Sequence, residues 1–260
     1  MPRANRHYLD GYIWHLTHRC HDRRFRLRFV RDRRVWVDWL YEARRRFGLR
    51  VLDYNVTSNH VHVLVCDQAR FEIAASMQLI AGQTAQRFNE RKGIHGAFWE
   101  DRYHATAVDS DEYLARCMVY IDLNMVRAGV VKHPSEWETC GYHEIQEPPR
   151  RYRIIDREAL AEALGLSSSD ELAATQRHWI EEQLHHDQQR QPWWSEALAV
   201  GRRDFVAQVQ TDLGIRARHR SIESTADGYM LRDPAASYWR QNTAENVALR
   251  PDSGYLEDPK

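Results

Sequence analysis

Two histidines, His60 and His62, are separated by a single valine. On a β-strand, residues i and i+2 face the same side. Both imidazoles can therefore bind one metal ion, while Val61 faces the opposite, packed side of the strand. Paired histidines on a strand are also common on plain solvent-facing surfaces, and the chain holds 14 histidines. The pair therefore needs a second feature before it indicates chemistry.

A tyrosine and an asparagine spaced by four residues supply that feature. Tyr120 and Asn124 fall in a stretch with helical apolar spacing, and residues i and i+4 share a helix face about 5–6 Å apart at Cβ. Tyr113 is nearly aligned with them. A tyrosine on an amphipathic helix is usually core packing, so neither tyrosine indicates function by itself. Two imidazoles, an amide oxygen and a phenol together suit attack of a tyrosine oxygen on a phosphodiester.

That reaction explains why a metal would be needed. A phenol is mostly protonated at neutral pH, and the negative charge of a phosphodiester repels a nucleophile. A divalent cation on a non-bridging oxygen neutralises that charge and orients the phosphate. Imidazole suits Mn²⁺ better than Mg²⁺, and either ion is an expected cofactor. A covalent phosphotyrosine would retain the bond energy, so a second DNA end could be joined without ATP.

The elements that would position these residues follow from apolar periodicity and turn residues. Their order matches the split βαβ, or ferredoxin-like, arrangement. The predicted class is α+β: an antiparallel sheet with helices on one face, followed by a helix that carries the candidate nucleophile. The predicted elements are a strand at 8–19, a helix at 31–47 ended by Gly48, strands at 49–57 and 60–66 joined at Ser58-Asn59, a helix at 71–90, an extended segment at 96–108 and a helix at 110–130 that closes at Gly129.

The second half of the chain has a different composition. A connector with three prolines covers 134–153, and a helical region is predicted to follow. Residues 221–260 show no clear period and are expected to be irregular. The predicted helices are 156–165, 169–189 and 193–214. The predicted domains are 1–147 for the DNA-processing unit, 148–220 for the helical extension and 221–260 for the tail.

Composition excludes several classes of protein. Hydrophobic residues make up 43% of the 260 residues, which is enough to build a core. The mean hydropathy is -0.71, and no apolar run is long enough to cross a membrane. No secretory signal is visible at the N-terminus. The four cysteines stand singly at 20, 66, 117 and 140, which argues against a disulfide framework. We expect a cytoplasmic protein.

Basic residues are concentrated in the first fifth of the chain. Residues 1–50 carry 14 Arg and 5 acidic residues, a net charge of +9, although the whole chain is neutral. Arginine suits phosphate and stacks on bases, so this segment predicts a polyanion-binding surface. A solvated loop is the competing interpretation of residues 20–28, called the basic loop below. The predicted DNA contacts are Arg19, Arg23, Arg24, Arg26, Arg28, Arg102 and Arg127.

The extension holds a second candidate surface. Trp193 and Trp194 stand near several arginines and could stack on bases. Paired tryptophans more often dock a helix on its neighbour, so both interpretations remain. The arginines concerned are Arg202, Arg203, Arg216, Arg218 and Arg220.

Three sequence blocks in the first half resemble the REP-associated tyrosine transposases, relatives of the single-tyrosine HUH transposases. The resemblance covers roughly residues 8–145 and extends less specifically to SEALAVGRRDFVAQVQTDLG at 195–214. Family members often have proline where this chain has Ser58, and usually where it has Met125. Because proline would end or kink the helix there, Met125 predicts a helix that continues to Gly129. The blocks are TSNHVHVLV at 57–65, GAFWEDRYH at 96–104 and YLARCMVYIDLNMVRAG at 113–129.

The resemblance implies roles for the candidate residues. His60 and His62 would be metal ligands, Asn124 the third ligand and Tyr120 the nucleophile. The implied protein is a metal-dependent single-strand DNA endonuclease and strand transferase that acts on hairpin DNA of the repetitive extragenic palindrome type, as a monomer or homodimer and without a membrane. The alternatives are a non-catalytic hairpin-binding protein, a replication initiator or relaxase, and a zinc hydrolase.

The zinc hydrolase would need a further strong ligand and a carboxylate base beside the histidine pair. Asp53 and Asp67 are the candidates close in sequence.

Overall fold

A seven-stranded sheet organises the residues that the computed structural model describes, which are 9–68, 70–186 and 189–232. The strand order is β2-β3-β1-β4-β5-β7-β6. The strands are β1 Ile13–Arg19, β2 Arg50–Val56, β3 His60–Cys66, β4 His104–Val108, β5 Ala197–Gly201, β6 Ile222–Thr225 and β7 Gly228–Arg232.

The first four strands confirm the ferredoxin-like prediction. β3 lies between β1 and β2 and is antiparallel to both, and β4 is antiparallel to β1. The connections β1-α1-β2 and β3-α2-β4 place two helices against each other, α1 Val30–Phe47 and α2 Glu72–Lys92. Gly48 ends α1 in the left-handed region at φ 71°, a conformation that glycine adopts without a Cβ clash.

Side chains alternate along β3, so the two histidines lie on one face of the sheet and the packed valines on the other. Val61, Val63 and Val65 are fully buried and face the opposite side of the sheet from His60 and His62. The β1–β3 register places Thr17 across from His62 and Arg19 across from His60. The histidine face of the sheet therefore includes the polar side of β1.

A helix covers the histidine face. α3 Glu112–Asp122 is anchored to it by Asn55 on β2, whose Nδ2 donates to the Ile121 carbonyl at 2.8 Å. Asn55 pairs across the ladder with His62, so the two side chains share a face. The fully buried Asn55 side chain thus fixes the height of α3 above the histidines.

The predicted continuous helix at 110–130 is wrong. α3 stops at Asp122, Leu123 has ψ 6°, and a short helix α4 covers Asn124–Arg127. No proline causes this break. Leu123 and Met125 are instead buried in a second apolar cluster with Trp137 and Cys140. Packing into that cluster favours the break over helix propensity.

The predicted helix at 193–214 is also wrong, because it contains a strand. A four-residue helix α8 Trp193–Glu196 leads directly into β5, and α9 Arg203–Leu213 follows. β5 pairs parallel with β4, and all five of its residues are buried. A short apolar run fits a buried strand and a buried helix equally well. The open edge of β4 decides between them by supplying backbone partners for β5.

The remaining predictions concern the connector and the tail. The connector contains a short helix α5 Gly141–Gln146. The helices predicted at 156–165 and 169–189 correspond to α6 Arg157–Ala163 and α7 Leu172–Leu184. The sequence predicts an irregular tail, but residues 222–232 form the β6–β7 hairpin, while 233–260 lie outside the described residues.

The described part of the chain contains no helix with the length and apolar character needed to cross a bilayer. All four cysteines are free thiols. The extended segment predicted at 96–108 becomes a strand only over β4.

Candidate functional site

His60 and His62 lie at the start of β3, directly after a tight turn, and face the same side as predicted. Their ring centroids are 4.8 Å apart with an interplanar angle of 77°. His62 is buried at 2% exposure, whereas His60 is partly exposed. The pair therefore spans the edge between the protein interior and solvent.

The turn before β3 fixes the tautomer of His60. Its Nδ1 lies 2.9 Å from the Thr57 hydroxyl and 2.7 Å from Asn59 Oδ1. The Thr57 hydroxyl donates its hydrogen to the His60 carbonyl at 2.7 Å, so both neighbours present acceptors to the ring. Nδ1 therefore carries the proton, and the lone pair of a neutral His60 is on Nε2.

His62 contacts Asn124 on one side and a third histidine on the other. The Asn124 Nδ2 donates to His62 Nε2 at 3.0 Å. His62 Nδ1 lies 2.8 Å from His15 Nε2, and His15 Nδ1 lies 2.7 Å from the Trp194 carbonyl. Sequence reasoning missed His15. Its alternation with Thr17 and Arg19 along β1 was the signal that could have found it.

All three rings are held neutral. Desolvation lowers the pKa of His15 and of His60 to about 3, and the charge of Arg19 acts in the same direction on His60. Desolvation, followed by the charge of His60, lowers the pKa of His62 well below its usual value. Neutral imidazole is the form that binds metals.

Tyr120 lies above the histidines in the same chain. Its ring centroid is 6.1 Å from that of His62 and 6.4 Å from that of His15, and the side chain is 7% exposed. The guanidinium carbon of Arg127 lies 4.0 Å from the Tyr120 ring centroid, and Arg127 donates to the Tyr120 carbonyl. Despite the helix break at Leu123, Tyr120 and Asn124 both lie beside His62. Tyr113 instead lies against Gly228 at the start of β7.

The C-terminal extension closes the site. Trp194 is 1% exposed, and its ring centroid lies 6.4 Å from that of Tyr120. It is therefore a wall of the site rather than a stacking surface for bases. Arg202 forms a two-pronged ion pair with Asp109 at 2.8 and 2.9 Å.

Two of the predicted DNA contacts flank the site. Arg19 ends β1 opposite His60, and desolvation followed by the charge of Arg23 lowers its pKa to about 10. Arg127 stacks on Tyr120. The basic loop is tied to the same end of the sheet, since the Arg23 carbonyl accepts from Asn59 Nδ2 at 3.3 Å.

The other predicted contacts lie farther along that surface. The Arg26 guanidinium lies 5.6 Å from the Phe98 ring centroid, and that of Arg28 lies 5.4 Å from Phe29. Arg24 is exposed and 3.8 Å from Asp22. Arg102 is exposed.

The donor set fits a cation that accepts nitrogen and oxygen ligands. His60 and His62 are neutral, and the Asn124 amide lies against His62 Nε2 with its Nδ2, so a half-turn of the amide would present Oδ1 to a cation there. Two imidazoles and an amide oxygen suit Mn²⁺ and leave positions for phosphate oxygens. Among the residues described, no three His, Cys, Asp or Glu side chains form a group that could hold a metal. Asp53 and Asp67, required by the zinc hydrolase, do not complete such a group with the histidine pair.

Residues 9–124 match the family described as "Transposase IS200 like". None of the curated proteins matches the chain. Among solved structures, a REP-associated tyrosine transposase bound to a REP hairpin is 18% identical, with 60% of this chain and 94% of that chain covered and a TM-score of 0.48. A candidate transposase from Deinococcus radiodurans is also 18% identical, with 41% and 86% covered and a TM-score of 0.31. The segment that matches this family carries both histidines, Tyr120 and Asn124.

Proposed function

We propose that this protein is a metal-dependent endonuclease and strand transferase for single-stranded DNA that works through Tyr120. The observation that carries the proposal is that a tyrosine, a histidine pair and an asparagine lie together in the same folded chain. The Tyr120 ring lies 6.1 Å from His62, His60 lies beside it, and Asn124 contacts His62 Nε2. This is the set of groups that attack of a phenol on a phosphodiester requires.

Each residue has a defined part in the reaction. His60 Nε2, His62 Nε2 and the Asn124 amide would hold Mg²⁺ or Mn²⁺. The bound cation would neutralise and orient the scissile phosphate. The Tyr120 oxygen attacks phosphorus, the bond to the 3′-oxygen breaks, and that oxygen takes up a proton. The downstream strand stays attached through its 5′-phosphate as a phosphotyrosine, until the 3′-hydroxyl of another strand attacks that phosphorus and releases Tyr120.

Arg127 contributes charge at the nucleophile. Its guanidinium lies over the Tyr120 ring at 4.0 Å. A cation there stabilises the negative charge that develops around the attacking oxygen and the phosphate. Desolvation lowers the pKa of Arg127, while Tyr120 acts in the opposite direction.

The proposed substrate is a folded DNA hairpin of the repetitive palindrome type. This proposal rests on the sequence resemblance and on the basic loop beside His60. A REP hairpin is also what the similar transposase binds. Cleavage would fall in a single strand beside the stem, and duplex DNA would have to be opened by replication or transcription. A cytoplasmic location, as a monomer or homodimer, belongs to the same proposal.

The direct test is a covalent adduct. The full chain is incubated with a 5′-labelled and, separately, a 3′-labelled hairpin oligonucleotide and Mn²⁺, and an SDS-resistant protein–DNA band is sought. The wild type should form the adduct, and Tyr120→Phe should form none while binding the hairpin normally. Tyr113→Phe is the matched control, because Tyr113 lies on the same helix but contacts Gly228. An adduct that survives in Tyr120→Phe and disappears in Tyr113→Phe would reassign the nucleophile.

The metal site is tested with the same assay. His60→Ala and His62→Ala should abolish the adduct and leave hairpin binding nearly intact, and excess EDTA should act like these substitutions. Full adduct formation in EDTA would refute the metal site. Hairpin binding by the wild type with no adduct under any metal would support the non-catalytic hairpin-binding alternative.

A further inference from the structure

We infer that His15, held by the main-chain carbonyl of Trp194, is a positioning residue that fixes His62 in the tautomer with a bare Nε2. The metal-binding consequence rests on the proposed function. The tautomer itself does not, because it follows from hydrogen-bond directions alone.

The carbonyl oxygen of Trp194 determines the first link. It can only accept, so His15 Nδ1, 2.7 Å away, must donate. A neutral imidazole carries one N–H, so His15 Nε2 is left as an acceptor. His62 Nδ1 lies 2.8 Å from it and must donate in turn. The remaining nitrogen of His62, Nε2, then bears a lone pair.

Two further observations agree with that assignment. His15 is fully buried, and its ring nitrogens bond to a carbonyl and to another imidazole rather than to a carboxylate. Burial without a carboxylate favours the neutral ring. On the other side of His62, the Asn124 Nδ2 group donates to Nε2 at 3.0 Å, which requires an unprotonated nitrogen.

The consequence is that the extension beyond the family-matched segment forms part of the site. Trp194 lies in α8, far along the chain from residues 9–124, yet its carbonyl starts the chain of bonds that ends at His62 Nε2. A ligating histidine whose second nitrogen is bonded keeps its tautomer and ring orientation, and loss of such a partner typically costs 10–100-fold in metal affinity. His15 would therefore set how tightly His62 binds a cation.

Two polar substitutions at His15 test its hydrogen bonds to the Trp194 carbonyl and to His62 separately. His15→Asn keeps an N–H near the position of Nδ1 for the Trp194 carbonyl but has no acceptor for His62. His15→Gln reaches the position of Nε2 with an oxygen that can accept from His62. The matched control is His104→Gln. His104 also bonds a main-chain carbonyl of the extension, that of Ala197 at 2.8 Å, but that bond does not involve His62.

The first measurement is the long-range ¹⁵N–¹H NMR spectrum of the full-length, ¹⁵N-labelled protein without added metal, with His62 assigned from a His62 variant. Wild type, His15→Gln and His104→Gln should show His62 protonated at Nδ1. His15→Asn should show His62 protonated at Nε2 in a large fraction of molecules. An unchanged His62 tautomer in folded His15→Asn overturns the inference.

The second measurement is Mn²⁺ binding followed by electron paramagnetic resonance. His15→Asn should weaken binding by about 10–100-fold, and His15→Gln should recover most of it. Equal losses in His15→Asn and His104→Gln would mean that only general packing has been disturbed, and would overturn the positioning role. If the wild type binds no Mn²⁺, the proposed metal site fails, while the NMR spectrum still decides the tautomer.

Discussion

Two buried carboxyl groups, Asp122 at the end of α3 and Asp53 on β2, make the stability of the protein depend on pH. Asp122 and Asp53 are 1% and 0% exposed. Desolvation raises the pKa of Asp122 from 3.8 to about 7. Desolvation and then the charge of Asp122 raise the pKa of Asp53 well above its usual value. Asp122 accepts from Gln176 at 2.8 Å, Asp53 accepts from the Tyr54 N–H at 2.8 Å, and both bonds are to neutral donors.

The sign and size of the effect follow from proton linkage. Between pH 3.8 and about 7, the folded state keeps the proton on Asp122 and the unfolded state releases it. The free energy of unfolding therefore falls as the pH rises, by about 1.4 kcal/mol per pH unit for one proton. Over the whole window this amounts to about 4 kcal/mol, and stability levels off above the folded pKa.

Replacing Asp122 by Asn removes the contribution of Asp122, because an amide does not ionise, and leaves the desolvated Asp53 in place. His15, His60 and His62 have lowered pKa values, so they add stability as the pH rises and oppose the carboxyl effect in both proteins. The quantity to measure is therefore the difference between variant and wild type. From pH 5 to pH 7, the stability of Asp122→Asn relative to wild type should increase by about 2 kcal/mol, because the slope is already halved at the folded pKa.

The assay is urea unfolding at pH 5, 6, 7 and 8, followed by tryptophan fluorescence. Asp38→Asn on the exposed side of α1 is the control and should give a constant difference. A difference between Asp122→Asn and wild type that stays flat from pH 5 to pH 8 would refute the reasoning. It would mean that Asp122 ionises in the folded protein as freely as in the unfolded chain.

Three further changes test hairpin binding by the basic loop, the role of Arg127 beside Tyr120, and the packing of strand β5. Replacing three basic-loop arginines by alanine should flatten the salt dependence of hairpin binding by roughly two units, at about 0.7 per contact; an unchanged slope in fluorescence anisotropy would make the loop a solvated surface. Arg127→Leu should slow adduct formation about 100-fold, and Arg127→Lys less, because the guanidinium lies 4.0 Å from the Tyr120 ring; equal rates by rapid quench would contradict its role. Gly201→Ala should destabilise the fold by about 1–3 kcal/mol, because the new Cβ would meet Asp109 Cβ at 2.4 Å; an unchanged Tm would show that β5 relaxes freely. The three loop arginines are Arg23, Arg24 and Arg26.

Local patterns were sufficient for the first half of the fold. The helix at 31–47, its stop at Gly48 and the hairpin around Ser58-Asn59 all matched the structure closely. These elements carry regular periodicity, and their ends are marked by residues with strong turn preferences, so each is decided by its own sequence. His60 and His62 face the same side of the sheet because side chains on a strand repeat every two residues.

Local patterns failed where a long-range partner decided the conformation. The local sequence of residues 197–201 predicts a helix, but pairing with the edge of β4 makes them a strand. Residues 222–232 became a hairpin on β5 although their own pattern is weak. The helix break at Leu123 follows from burial beside Trp137, which is distant in sequence. In each case the deciding energy comes from contacts that apolar spacing within the segment does not encode.

The same division holds for the site. Spacing along the chain is enough to single out the histidine pair, Tyr120 and Asn124. Folding of distant segments brings His15 from β1 and the Trp194 carbonyl from the extension to His62. The same packing turns Trp194 inward and places Arg127 over the Tyr120 ring. Hydrogen-bond direction and burial arise from the packing of distant segments, so they exist only once the chain has folded.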